Sequence, residues 1–171
     1  TCFSSDFFLD RADAWRPAAW DMMRVRKDLR FLFITKRIDR IAQCLPSDWG
    51  TGYDNVTIGC TIENQEMCDY RLPYFLQAPI AHKIVVCEPL LGDITLPPCN
   101  GIEEVIAGGE SGYNARPCHY EWILHIRAQC AEQGIGFHFK QTGALFVKEG
   151  RTYHIARHEQ IPQAHKAGID L

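Results

Sequence analysis

Lys83-Ile84-Val85-Val86-Cys87-Glu88-Pro89-Leu90-Leu91-Gly92 decides the fold. An unbroken apolar run stops at a carboxylate and a proline. The run is short and apolar at successive positions rather than alternating, which is the pattern of a strand covered on both faces. The same unit recurs on either side of it. Phe31-Leu32-Phe33-Ile34 runs into Thr35-Lys36-Arg37, and Val56-Thr57-Ile58-Gly59-Cys60-Thr61-Ile62 runs into Glu63-Asn64. Glu104-Val105-Ile106-Ala107 runs into Gly108-Gly109-Glu110-Ser111-Gly112, and Ile135-Gly136-Phe137-His138-Phe139 into Lys140-Gln141-Thr142-Gly143. Helical stretches stand between these runs. The clearest spans 119–133, with Trp122, Ile123, Ile126 and Cys130 on one face and Gly134 as its stop. A second covers 65–77 and carries Pro73 as an expected interruption, and a third covers 10–27 with Trp15, Trp20, Met23 and Val25. The link 93–103 holds Pro97-Pro98 and is too short for a helix, so that crossover is a loop.

Strands alternating with helices imply parallel βαβ units with right-handed crossovers, hence an α/β fold. After Gly143 the texture changes: 145–155, bent at Glu149-Gly150, predicts a β-hairpin, and 156–171 a polar tail packed on the surface. A chain of 171 residues, 46% hydrophobic and 23% charged, has the size and composition of one globular domain. Those values exclude a disordered chain, a collagen and a coiled coil. Its apolar runs fall far short of the ~20 residues a membrane helix needs, so no membrane partner is expected. The opening Thr1-Cys2-Phe3-Ser4-Ser5-Asp6 lacks the charged and apolar regions of a secretory signal. It also lacks an initiator Met, and is expected to be an internal end of a longer polypeptide.

Eight cysteines, none forming a C-x-x-C clip, read as reduced core residues of a cytoplasmic protein. The net charge of −3 argues against a broadly basic nucleic-acid binder. One local exception is Arg24, Arg26, Lys27, Arg30, Lys36, Arg37 and Arg40, opposed by Asp28 and Asp39. That cluster reads either as a solvated helix face or as a phosphate-facing patch. His154, His158 and His165 lack the carboxylate pattern of a metal centre, and no metal site is expected.

Ligands in parallel α/β proteins bind at the carboxyl ends of the strands. Here those ends read Ser4-Ser5-Asp6, Thr35-Lys36-Arg37, Thr61-Glu63-Asn64, Cys87-Glu88, Gly109-Glu110-Ser111 and Lys140-Gln141. All are polar, which points to a shared pocket. Each also has a structural reading: Glu63-Asn64 as a helix start, Lys36-Arg37 as a solvated turn, and Gly108 to Gly112 as a tight turn. Lys140 would pair with Glu88 or Glu110. The glycine run is neither a Walker loop nor a dinucleotide fingerprint, and no nucleophile elbow is present.

In order along the chain, Ile34-Thr35-Lys36-Arg37, Gly59-Cys60-Thr61-Ile62-Glu63-Asn64, Cys87-Glu88-Pro89-Leu90-Leu91-Gly92, Ala107-Gly108-Gly109-Glu110-Ser111-Gly112 and Phe139-Lys140-Gln141-Thr142-Gly143 resemble an uncharacterised phage and bacterial protein family related to radical S-adenosylmethionine enzymes. Ala115-Arg116-Pro117 and Lys166-Ala167-Gly168-Ile169-Asp170-Leu171 fit it as well. The resemblance implies a partial (β/α) TIM-like barrel over 1–143, lacking its first βα unit, with the hairpin and tail of 144–171 packed on it. Family members carry C-x-x-x-C-x-x-C, whose thiolates hold a [4Fe–4S] cluster that binds S-adenosylmethionine. That spacing is missing from this chain, so cluster and cofactor are implied for a full-length parent, and the chain alone is expected to be inactive. By the same resemblance, Gly108, Gly109, Glu110 and Ser111 would contact the cofactor, while Glu88, Lys140, Glu63 and Lys36 would face an unknown, nucleic-acid-related substrate. A barrel opened at its first unit would expose a sheet edge for a second copy to cover. The alternative is a non-catalytic module binding an anionic ligand or nucleic acid through Lys36, Arg37, Arg40 and Lys140.

Overall fold

The computed structural model describes residues 5–171. Its strands are β1 (Phe31–Thr35), β2 (Val56–Thr61), β3 (His82–Cys87), β4 (Ile102–Gly108), β5 (Cys118–His119), β6 (Gly136–Gln141), β7 (Leu145–Lys148) and β8 (Arg151–His154). Its α-helices are α1 (Arg16–Val25), α2 (Ile41–Cys44), α3 (Gln65–Gln77), α4 (Tyr120–Gln133) and α5 (Gln160–Ala167). The main sheet runs β1-β2-β3-β4-β6 with every pair parallel. A small second sheet, β5-β7-β8, carries the hairpin. The protein is therefore α/β with a five-stranded parallel sheet.

The strand order never reverses. Each crossover steps one way across the sheet, so right-handed connections place the helices on a single face. Burial agrees. Phe33, Ile58, Cys60, Val85, Cys87, Val105, Ala107 and Phe137 share one core with Trp20 of α1, Leu72 and Phe75 of α3, and Ile123 and Ile126 of α4. The alternate residues point the other way: a Cβ on Gly59 would meet Ile34, Ile84 and Val86 together. Central β3 is buried from Lys83 to Cys87, whereas outer β1 alternates buried with half-buried residues. The edge of β6 is filled from within the chain, because Leu171 N–H donates to Phe137 O (2.9 Å) and Phe139 N–H to Asp170 Oδ1 (2.8 Å).

Three local expectations need correction. The first helix does not begin at Asp10: a 3-10 turn, Asp10–Ala12, precedes α1, which opens with Pro17 in its first turn, where the missing N–H is harmless. Trp20 and Met23 are buried, but Trp15 and Val25 are exposed. Pro73 does not interrupt α3. A mid-helix proline costs about 3 kcal/mol, and burying Cys68, Leu72 and Phe75 offsets it at about 1.5–3 kcal/mol for each large side chain. Finally, the polar tail contains a helix, α5, which buries Gln160 and Ala164 and ends at left-handed Gly168. The link 93–103 is a loop up to Cys99, and the hairpin turns at Glu149-Gly150, both with positive φ, as its two-residue turn requires. Of residues 2–6, read as the last turn of a further strand, 2–4 lie outside the described residues, and Ser5 and Asp6 are not in a strand.

Candidate functional site at the carboxyl ends of the strands

The residues following the five parallel strands lie at one end of the sheet and interlock. Asp6 accepts from the Thr35 hydroxyl (2.9 Å), the Lys36 backbone N–H (3.0 Å) and Arg37 (3.2 Å). Glu63, just beyond β2, takes Lys36 Nζ on Oε1 and Arg71 on Oε2 (2.7 Å). Glu88, just beyond β3, takes Lys140 Nζ on Oε2 (2.7 Å) and the Gln141 amide on Oε1 (3.0 Å). Glu110 is gripped by Arg116 through its backbone N–H (2.9 Å), Nε (3.0 Å) and second guanidinium nitrogen (2.9 Å).

Main-chain bonds fix the spacing. The segment after Glu88, whose bond to Pro89 is cis, ties its neighbours on both sides: Leu90 N–H donates to Gly108 O and Leu91 N–H to Glu63 O, each at 2.8 Å. The Asn64 side chain caps α3 by accepting from Met67 N–H (2.9 Å). The structural reading of Asn64 therefore holds, while Glu63 itself turns into the ion-pair row. Gly108 and Gly109 make room for the protein's own atoms. A Cβ on Gly108 would fall 2.7 Å from Glu88 Oε1, and one on Gly109 would overlap the Thr142 carbonyl oxygen.

Charge is layered. The carboxylate side chains are only 12% (Asp6), 11% (Glu63), 13% (Glu88) and 30% (Glu110) exposed, against 40% (Arg37), 48% (Lys36), 48% (Lys140) and 58% (Arg116) for the cations over them. Burial alone would push the Glu63 carboxyl up, but Lys36 and Arg71 outweigh it and hold it below its ordinary range. Hydrogen bonds from Arg116 bring Glu110 down to about 2. The Arg116 guanidinium is in turn held up by Glu110 and, more weakly, by Glu63 beyond β2. Both glutamates are therefore anions near neutrality. Two buried polar atoms beside Glu63, Thr61 Oγ1 and Arg71 Nε, have no hydrogen-bond partner.

The structure thus brings Lys36, Glu63, Glu88, Lys140 and Glu110 to one end of the sheet. Of the two partners proposed for Lys140, it is Glu88 that is paired. The basic cluster of 24–40 is split by β1: Lys36, Arg37 and Arg40 lie at its carboxyl end, and the others at its amino end. There Arg24 pairs with Asp21 and Asp48, and Arg26 with Asp28. Arg40 belongs to the scaffold, holding Asp13 (2.8 Å) and Phe8 O (2.8 Å). Arg71 and Arg116 were not singled out as site residues from sequence. Arg71 sits on the shoulder of the buried stripe of α3, one residue before Leu72, a position that periodicity marks only as half-buried. The seven described cysteines are free and buried. Among the described residues, no three His, Cys, Asp or Glu side chains are grouped to hold a metal ion, and no helix is long and apolar enough to cross a membrane.

A family model described as "Protein of unknown function (DUF5131)" matches residues 1–166. No curated protein and no solved structure matches the chain. With nearly its whole length covered by that model, the chain belongs to the DUF5131 family of proteins of unknown function.

Proposed function

We propose that this chain is the substrate-binding part of a radical S-adenosylmethionine-type (β/α) barrel, and that the strand-end face holds an anionic, nucleic-acid-related substrate. The observation that carries the substrate class is the layering: anchored carboxylates beneath, half-exposed Lys36, Arg37, Lys140 and Arg116 above. The buried anions position the cations, and the cations meet the ligand. The consecutive, all-parallel strand order supports the barrel, since a doubly wound fold reverses its order at a switch point.

The described cysteines do not fit a [4Fe–4S] cluster. They are scattered through the core, and burial pushes thiols such as Cys60, Cys68 and Cys118 up to about 12, the reverse of what thiolate ligands need. No step is assigned to a cluster on this chain. S-adenosylmethionine is a different case, because the polar groups at the β4 end suit its amino-acid portion. Glu110 stays ionised and accepts from N–H donors, and Ser111 adds a hydroxyl; Gly108 and Gly109 support them from behind. When bound beside a cluster, that cofactor supplies radical chemistry. A purely binding role for the same anion site is the second reading, and it needs only the layered cations and no cluster.

The test uses a fluorescent abasic single-stranded oligonucleotide of about ten units, a chain of phosphates without bases. Anisotropy should show binding that weakens with salt, with a log–log slope of about −2 to −3 for three or four phosphate contacts. Lys140→Ala and Lys36→Ala should each flatten that slope by about 0.7. Salt-independent or undetectable binding overturns the anion site. Equilibrium dialysis with S-adenosylmethionine tests the cofactor: uptake abolished by Glu110→Ala supports it, and no uptake by the parent chain leaves the binding module.

A further inference from the structure

A cleft of about 740 Å³ lies between the β7–β8 hairpin, α5 and the start of α4, beside the β6 end that carries Lys140. Its walls include Tyr120, Phe146, Tyr153, Lys148, Lys166 and Glu159. Tyr120 meets the Phe146 ring edge-on at 5.8 Å, and Phe146 stacks on Phe139 at 6.1 Å, so the aromatic floor is braced from below. Tyr153 stands exposed on β8.

The two lysines differ from those of the strand-end row. Lys140 and Lys36 are each held by a carboxylate. Lys148 instead lies over the Tyr120 ring, 4.9 Å from its centroid, and neither Lys148 nor Lys166 forms an ion pair among the described residues. Glu159 is the one acidic side chain in the lining. Aromatic rings beside cations that no carboxylate grips at ion-pair distance, in a space of the size that takes a small organic group, form the combination that stacks a base and neutralises its phosphate.

We propose that this cleft holds an unpaired base of a single-stranded nucleic acid whose phosphates continue onto the strand-end cations. The proposal rests on the anion site described above for the second half of that path, and on the cleft alone for the first. Tyr153 and Tyr120 provide the stacking faces, while Lys148 and Lys166 meet the flanking phosphates. Phe139 and Thr142 of the cleft wall bracket Lys140 and Gln141 in sequence, so the cleft adjoins the end of β6 that carries the row. A duplex cannot offer its bases in this way.

The experiment compares a thymidine oligonucleotide with the abasic chain of the same length, both single-stranded and fluorescent. The parent protein should bind the thymidine strand about five-fold or more tightly, the gain from one stacked base. Tyr153→Ala should erase that preference and leave abasic binding unchanged, while Tyr153→Phe should keep it. Lys166→Glu, on an exposed helix face, should weaken both probes. Equal binding of the two probes by the parent overturns the proposal, as does a thymidine preference that survives Tyr153→Ala or a stronger affinity for duplex. Retained thymidine binding with no abasic binding supports the cleft and overturns only the strand-end anion site.

Discussion

Replacing Gly109 with alanine tests whether the glycine-rich loop after β4 exists for ligand approach or for the protein's own packing. Gly109 N–H donates to Gln141 O (3.1 Å), and the chain at 142–143 crosses directly over it. Besides overlapping the Thr142 oxygen, a new Cβ would lie 2.9 Å from Cys118 Cβ and 2.9 Å from Gly143 Cα. Two of these three neighbours are backbone, so no rotamer change relieves them. Overpacking costs about 1–3 kcal/mol, and fixed backbone puts Gly109→Ala at the upper end. For a chain of this length each kcal/mol lowers Tm by about 2–4 °C, giving a drop of about 6–12 °C. Gly108→Ala should cost less, about 1 kcal/mol, because its closest neighbour is the movable Glu88 carboxylate, although Gln141 Cγ and O at 3.1 Å remain in the way. Gly112, in the same loop, has nothing within 4 Å of an added Cβ, so Gly112→Ala should stay within about 0.5 kcal/mol of the parent. Urea unfolding followed by tryptophan fluorescence resolves this order, provided the slope with urea is unchanged. If Gly109→Ala were as stable as the parent, or Gly112→Ala as damaged as Gly109→Ala, the packing explanation would be wrong.

Acid should weaken the fold through the strand-end row. Glu63 is held below the ordinary glutamate value of 4.5 and Glu110 at about 2, so both stabilise the folded state above pH 4.5, and that contribution is lost as pH falls through their folded values. Glu63→Gln and Glu110→Gln should therefore flatten the loss of urea resistance between neutral and acid pH, and an unchanged pH profile would show that the pairs contribute nothing. Carbon-detected NMR should find the Glu110 carboxyl moving back toward 4.5 in Arg116→Ala; no movement would remove Arg116 as the cause. Thiol titration of the native protein should label at most one cysteine quickly, since the seven described thiols are buried, and all eight after unfolding; rapid labelling of two or more contradicts the core assignment. Arg16, nearly fully buried, donates to Phe7 O (3.1 Å) and Leu9 O (2.6 Å). Arg16→Met should cost about 2–4 kcal/mol by leaving those carbonyls unpaired, and a loss under about 0.5 kcal/mol would mean water replaces the guanidinium.

The parts of the fold that depend on near neighbours were legible in the sequence. The 82–87 run, the helix stop at Gly134 and the Glu149-Gly150 bend each follow from local backbone preference and apolar spacing. Local competition also set the limits of that reading. A proline that ends a helix in isolation is carried through α3 by burial against the sheet, and the few apolar residues of 156–171 do not announce a helix whose hold comes from β6.

By itself, the sequence determined that short apolar runs alternate with helices and that each run ends in charge, because strand length, periodicity and turn residues act within a few positions of one another. It also placed Glu88, Glu63 and Glu110 directly beyond the apolar runs, at the strand ends. Only the tertiary structure decided who neutralises whom: Lys140 reaches Glu88, Arg116 Glu110, and Lys36 and Arg71 Glu63. Coulomb attraction acts through space and is blind to chain order. Those partners were therefore undefined until parallel pairing brought the strand ends side by side, with the cations outermost.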